Sequence, residues 1–190
     1  YVANYVEFDA ANRPADPALC AFFGGLRVYC GPKGMVGAPD VLYRNEGDGQ
    51  FSDATQISGI SQANRYYGLG VIPSDYDLDG DQDLFVANDE TPNVLFQNQG
   101  DGTYRDVGLI AGVAYNGDGD AEAGMGVDFG DYDNDGDRDI FIACGHIEDN
   151  IQLYDSTTAY RCPNVVLLNT GNGRFTDVSQ HCGDGLQPVM

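Results

Sequence analysis

Apolar positions in this chain fall in short runs separated by acidic or glycine-rich turns, and the runs read as strands. Leu84-Phe85-Val86-Ala87 and Ile140-Phe141-Ile142-Ala143 each follow an acidic loop. Upstream of those loops stand Gly68-Leu69-Gly70-Val71-Ile72 and Gly124-Met125-Gly126-Val127-Asp128, with glycines seven and five residues before the first aspartate. A second pattern lies between the loops. Leu42-Tyr43-Arg44-Asn45 leads through Gly47-Asp48-Gly49 to Phe51 and Asp53. Leu95-Phe96-Gln97-Asn98 leads through Gly100-Asp101-Gly102 to Tyr104 and Asp106, and Val166-Leu167-Leu168-Asn169 through Gly171-Asn172-Gly173 to Phe175 and Asp177. Each predicts strand, turn, strand, because such turns need residues that tolerate positive φ.

One unit is therefore strand, acidic loop, strand, connection, strand, glycine turn, strand. The acidic loops repeat at 56 residues, and Asn45 to Asn98 is 53. Asn98 to Asn169 is 71, so the last unit carries about 18 extra residues, mostly within 145–163. Four antiparallel strands recurring at roughly 40–60 residues are the signature of propeller blades. The predicted fold class is all-β, a β-propeller with about two and a half blades. Residues 1–54 form the second half of a blade with a cysteine-containing insertion at 7–40. Residues 68–107 form a blade, and 124–178 a blade with the insertion 145–163. Tyr1-Val2-Ala3-Asn4 matches Phe85-Val86-Ala87-Asn88, which places residue 1 inside a second strand; Gln187-Pro188-Val189-Met190 stops short of the next one. Propellers close with four to eight blades. The chain is thus expected to be part of a longer protein, or to complete its repeats with neighbouring chains.

The loops have the form Asp-x-Asp-x-Asp-Gly-x-x-Asp: Asp75, Asp77, Asp79, Gly80, Asp83, and Asp131, Asp133, Asp135, Gly136, Asp139. Carboxylates crowded in so short a loop repel unless a cation lies between them, and Ca2+ takes six to eight oxygens in flexible geometry. An EF-hand would close with a bidentate Glu at position 12. Val86 and Ile142 stand there instead. The expected ligands are the carboxylates of Asp75, Asp77, Asp79 and Asp83, and of Asp131, Asp133, Asp135 and Asp139, with the carbonyls of Asp81 and Asp137. The alternative is a solvated acidic turn, against which the second copy with the same flanks argues.

Composition narrows the partners. Thirty acidic and nine basic residues give a net charge of −21, which two Ca2+ ions of +2 each would bring to −17. Nucleic acid and anionic membrane surfaces are excluded as electrostatic partners. No transmembrane run or signal peptide is visible, so no membrane insertion is expected. Five cysteines suit an oxidising, extracellular setting. Cys20 and Cys30 are read as a disulfide stapling the nine residues between them. Cys162 and Cys182 lie within one repeat and pair in one reading, leaving Cys144 free; in the other, all three are small buried apolar residues.

The chain resembles the calcium-loop propellers with FG-GAP or VCBS repeats, and more closely the ASPIC/UnbV family, the cartilage acidic protein group and its bacterial relatives. Tyr1–Asn4 with Cys20 and Cys30-Gly31-Pro32, Val41–Asp53, Asp75–Asn88, Ala123–Asp128, and Gly145-His146-Ile147 through Asp149-Asn150 carry the resemblance. It implies a seven-bladed propeller, secreted or on the cell surface, with structural Ca2+ and no known catalytic residues. Cys144 departs from it, standing where the preceding repeat has Asn88.

Three functions compete. The first is an extracellular calcium-binding module for adhesion, recognition or assembly, with a protein or glycan partner on the cell surface or in matrix. Its recognition loops would be 7–40 and 145–163, unless those are only packed loops. A variant is the subunit of an extracellular filament, self-associating through exposed strand edges. The second is a propeller-based polysaccharide-active enzyme, for which His146 with Glu148 and Asp149 is the constellation to test. No nucleophile elbow, metalloprotease helix or phosphate loop accompanies it, and His181 reads as structural. The third, a calcium store, fails on capacity. Tyr66-Tyr67 beside Arg65 suggests a sugar platform, but neighbours on a strand face opposite sides.

Overall fold

The computed structural model describes residues 1–9, 32, 35–60, 65–153 and 159–183. Cys20, Cys30, the end of the chain from 184, and part of each insertion lie outside the described residues. Strand β1 is Tyr43–Gly47, β2 Gln50–Asp53, β3 Gly68–Ser74, β4 Asp83–Asn88, β5 Val94–Asn98 and β6 Tyr104–Asp106. Then come the short helix α1, Gly108–Ala111, and strands β7 Gly124–Gly130, β8 Asp139–Cys144, β9 Val165–Asn169 and β10 Phe175–Asp177.

Two four-stranded antiparallel sheets, β3-β4-β5-β6 and β7-β8-β9-β10, follow chain order, and β1-β2 form a hairpin. The chain is all-β and built of propeller blades. Val2 and Val6 bridge to Val41 and Gly37, which ties the first residues to the segment leading into the hairpin.

Strand β4 is buried from end to end. Successive side chains of a strand point to opposite faces, so a strand covered on both reads as a continuous apolar run. Leu84 and Val86 point one way, into a cluster with Ile60, Val94 and Phe96. Phe85 and Ala87 point the other way, into a cluster with Leu95 that is completed by Ile140, Ile142, Val165, Leu167 and Phe175 of the next sheet. The main core is therefore the space between two stacked blades. Phe141, on the far face of β8, is 38% exposed, whereas its counterpart Phe85 is fully buried.

The first strands of the two blades, β3 and β7, lie side by side, with Gly70 facing Val127. A Cβ there would stand 3.4 Å from Val127 Cγ1. Each of these strands carries a register shift at the same place, Gly68/Gly70 and Gly124/Gly126. Helix α1 ends at Gly112, in the left-handed region at φ +84°. A Cβ at Gly112 would lie 2.9 Å from Phe175 O, so glycine both closes the helix and seats it on the neighbouring blade. With four residues, α1 is too short for a periodic signal.

Candidate metal centres

Each acidic loop joins the first two strands of a blade, β3 to β4 and β7 to β8, and is wound by its own carboxylates. Asp75 accepts the Asp79 N–H at Oδ1 (3.0 Å) and the Gly80 N–H at Oδ2 (3.1 Å). Asp131 does the same for Asp135 (3.1 Å) and Gly136 (3.2 Å). The tight winding requires positive φ at two places, Leu78 (60°) and Gly80 (97°), matched by Asn134 (63°) and Gly136 (97°).

The last aspartate of each loop is its buried anchor. Asp83 is 1% exposed and accepts the Asn98 N–H at Oδ1 (2.8 Å) and the Tyr76 N–H at Oδ2 (3.2 Å). Asp139 is 2% exposed and accepts the Asn169 N–H at Oδ1 (2.8 Å) and the Tyr132 N–H at Oδ2 (2.6 Å). One carboxylate thus joins the loop, the second strand and the end of the third. Burial, and then the charges of Asp77 and Asp79, push the Asp83 carboxyl up to about 6, while the two backbone donors pull it down.

The structure brings Asp75, Asp77 and Asp83 together, and likewise Asp131, Asp133 and Asp139, with one carboxylate oxygen from each lying within 4.8 Å of the others. Such groups suit a hard divalent cation. Asp77 Oδ2 accepts the Gln97 side chain at 2.7 Å, but Asp77 Oδ1 is buried with no hydrogen-bond partner among the described residues. A buried carboxylate oxygen left bare is costly, so the donor set fits a cation.

Asp79 and Asp135, expected as ligands, stand outside these three-residue groups; each accepts the N–H two residues on, from Asp81 and Asp137, both at 2.9 Å. The carboxylate of Asp81 leans over the glycine turn, where a Cβ on Gly100 would meet its Oδ2 at 3.0 Å. Gln97 and the paired asparagines Asn98 and Asn169 were missed as site residues. The signal was present, since Asn45, Asn98 and Asn169 recur at the end of the third strand. Each also accepts the N–H of the residue two further on, Gly47 (2.9 Å), Gly100 (3.1 Å) and Gly171 (3.1 Å), which starts the turn.

Cys162 and Cys182 are not joined in this structure. Cys162 Sγ donates to Ala159 O (2.7 Å), while Cys182 Sγ donates to Val178 O (3.3 Å) and lies beside the Tyr132 hydroxyl. Closeness along the chain misled here, because Cys182 is carried past β10 by the turn Ser179–His181.

His146 has both ring nitrogens engaged. Nδ1 accepts the Glu148 N–H (3.0 Å), which leaves the proton on Nε2, 3.2 Å from Glu90 Oε1. The pair is therefore a hydrogen bond of a neutral imidazole, and it ties the segment after β8 to the one after β4. Tyr66 packs against the cluster around Val86, and Tyr67 packs tilted against Tyr5, with ring centroids 5.8 Å apart, so the two do not share a platform.

Glu122 lies outside both centres. Burial and then Asp177 push its carboxyl up to about 7, opposed by Asn116 and Cys144. The folded state thus binds its proton more tightly than the unfolded chain, whose ordinary value is 4.5. Its favourable contribution is complete below that value and is lost as pH rises toward 7. Glu122→Gln, which keeps the neutral form, is expected to stabilise the protein at pH 8 by about 1–2 kcal/mol after solvent screening, and to have no effect at pH 4.5. Thermal unfolding of both proteins at the two pH values checks this; equal unfolding temperatures at pH 8 would refute it.

A family model for the FG-GAP-like repeat matches residues 28–85 and 75–142. Cartilage acidic protein 1 of Homo sapiens is 27% identical over 187 residues, covering 92% of this chain and 26% of that protein. The Mus musculus protein of the same name is 33% identical over 152 residues, covering 78% of this chain and 20% of its own length. The Xenopus tropicalis protein of that name is 43% identical over 58 residues, 30% of this chain and 8% of the relative. The chain spans about a quarter of these curated relatives or less.

Proposed function

Because the chain belongs to the FG-GAP-like repeat family, we propose that it is an extracellular propeller module whose two acidic loops each hold a structural Ca2+ and whose surface loops recognise a protein or glycan, or another copy of the chain. The observation that carries this is the repetition of one geometry: two loops, each gathering three carboxylates from the same positions around a buried aspartate. In the first centre Asp75, Asp77 and Asp83 would hold the ion, and in the second Asp131, Asp133 and Asp139. A bound cation would offset the repulsion among them and fix the corner between two strands. The relatives named Cartilage acidic protein 1 and the abundance of acidic residues support a setting outside the cell. The engaged nitrogens of His146 favour recognition over catalysis, since neither is left to act as a base.

The test is thermal unfolding in 10 mM Ca2+ and in excess EGTA, with Mg2+ as the control and sedimentation equilibrium in the same solutions. Extracellular calcium modules bind at about 10⁻⁴–10⁻³ M, so mass action at two sites gives roughly 3–5 kcal/mol. For a chain of this size that is an upward shift of about 6–20 °C. Equal unfolding temperatures in calcium and EGTA would overturn the calcium assignment. Change of mass with calcium reads self-association.

A further inference from the structure

We propose that Cys144 and Cys162 form a disulfide that fastens the end of β8 to the segment leading into β9, closing the insertion between them.

The two repeats carry this first. Strand β4 ends Ala87-Asn88 and β5 is preceded by Thr91-Pro92-Asn93-Val94; β8 ends Ala143-Cys144 and β9 is preceded by Cys162-Pro163-Asn164-Val165. The shared framework is kept in space. Asn88 N–H donates to Asn93 Oδ1 at 3.0 Å, and Cys144 N–H donates to Asn164 Oδ1 at 3.0 Å. In the first blade the junction is also held by a side chain, Asn88 Nδ2 donating to Pro92 O at 2.7 Å. In the second blade the amide is gone, and the residues in the places of Asn88 and Thr91 are both cysteine.

Strand pairing carries it second. Ile142 is opposite Val165 in the β8–β9 ladder. Beyond the ladder the two segments stay side by side, with His146 N–H donating to Tyr160 O at 3.3 Å. That bond is one residue out of the ladder register, which continued would set Cys144 opposite Pro163, so the irregular segment ahead of β9 brings Cys162 toward Cys144. Cys162 is the neighbour of the residue that faces Cys144, and the bond forms when the two Cα atoms come within the roughly 4.4–6.8 Å that a disulfide spans. Burial, then the Glu122 carboxylate, then Cys162 itself hold the Cys144 thiol above its ordinary value, in keeping with two sulfurs in one neighbourhood. Cys162 lines a cleft of about 590 Å³ with Glu122, Asp177 and Ser179, which gives a small oxidant access.

The oxidant class is a low-molecular-weight disulfide such as oxidised glutathione. The Cys162 thiolate attacks one sulfur of it, forming a mixed disulfide and releasing one glutathione thiol. Cys144 gives up its proton, its sulfur displaces the second glutathione thiol, and the Cys144–Cys162 bond forms. Two protein thiols are oxidised and one glutathione disulfide is reduced to two thiols.

The sequence makes the test direct. Trypsin cuts after Arg138, Arg161 and Arg174, which places Cys144 in residues 139–161, Cys162 in 162–174 and Cys182 in 175–190. The folded protein is reduced, equilibrated with oxidised glutathione, alkylated and digested without reduction. The expected product is 139–161 linked to 162–174, retained in Cys182→Ser and lost in Cys162→Ser, with Cys144 then alkylated or carrying glutathione. A link between 162–174 and 175–190, a link of Cys144 to any other peptide, or full alkylation of Cys144 and Cys162 in the wild-type protein would overturn the proposal.

Discussion

Asp139→Ala is expected to destabilise the protein by roughly 3–5 kcal/mol, with and without calcium. The Asp139 carboxylate is buried and its two oxygens each accept a backbone N–H, from Asn169 and Tyr132. Truncation strands both amides, each at a cost of about 1–3 kcal/mol, and removes a carboxylate from the group shared with Asp131 and Asp133. Asp139→Asn should fall between, since its carbonyl can serve one amide while its own N–H2 is set against the other. Asp135→Ala is the control, because Asp135 accepts the Asp137 N–H at an exposed turn and does not anchor the strands. Urea unfolding in calcium and in EGTA separates the two roles. A loss that vanishes in EGTA would mean that Asp139 matters only through the ion, and a loss below about 1 kcal/mol in both would refute the anchoring role.

Phe85→Ala is expected to cost about 3–5 kcal/mol, the usual range for a large aromatic removed from a packed core. Phe85 is fully buried between the blades, with Phe129 edge-on at 6.5 Å and 82°. Phe141→Ala, at the matching position of the next blade, should cost under about 1 kcal/mol, because that ring is 38% exposed. The pair isolates what a covering blade contributes, since residue type and strand position are the same. Equal costs in denaturant unfolding would show that Phe141 is covered in solution.

The strands were legible because their signals are local. Glycine turns, acidic loops and the runs Leu84–Ala87 and Ile140–Ala143 each mark a boundary within a few residues. What was not legible depended on contact between blades or on the path of a turn. Alternate aspartates look equivalent in the sequence, yet the positive φ at Leu78 and Gly80 turns the loop, and the Asp79 carboxylate accepts a backbone N–H outside the three-residue group. Helix α1 has no periodic signature and depends on Gly112 meeting Phe175. The Cys162–Cys182 pairing followed separation along the chain, whereas Cys162 precedes β9 and Cys182 follows β10. Asn98 and Asn169 were visible as repeats, but their bonds to the loop aspartates belong to the folded blade.

Asn169 donates its side-chain amide to Arg138 O within its own blade (3.3 Å) and to Tyr76 O in the acidic loop of the blade before (2.9 Å). Asn98 makes the first of these bonds, to Gln82 O at 3.1 Å. The boundary of a sheet is therefore not the boundary of a self-sufficient repeat. A gene duplication cut at the sheet edges would copy the acidic loop with Asn98 but without the Asn169 amide that holds Tyr76 O. A cut that carries each loop together with the following blade, as far as its glycine turn, would copy donor and acceptor at once. The inheritable module is offset from the architectural one by a single loop, and grafts or shuffled propellers joined at that offset keep the seam intact.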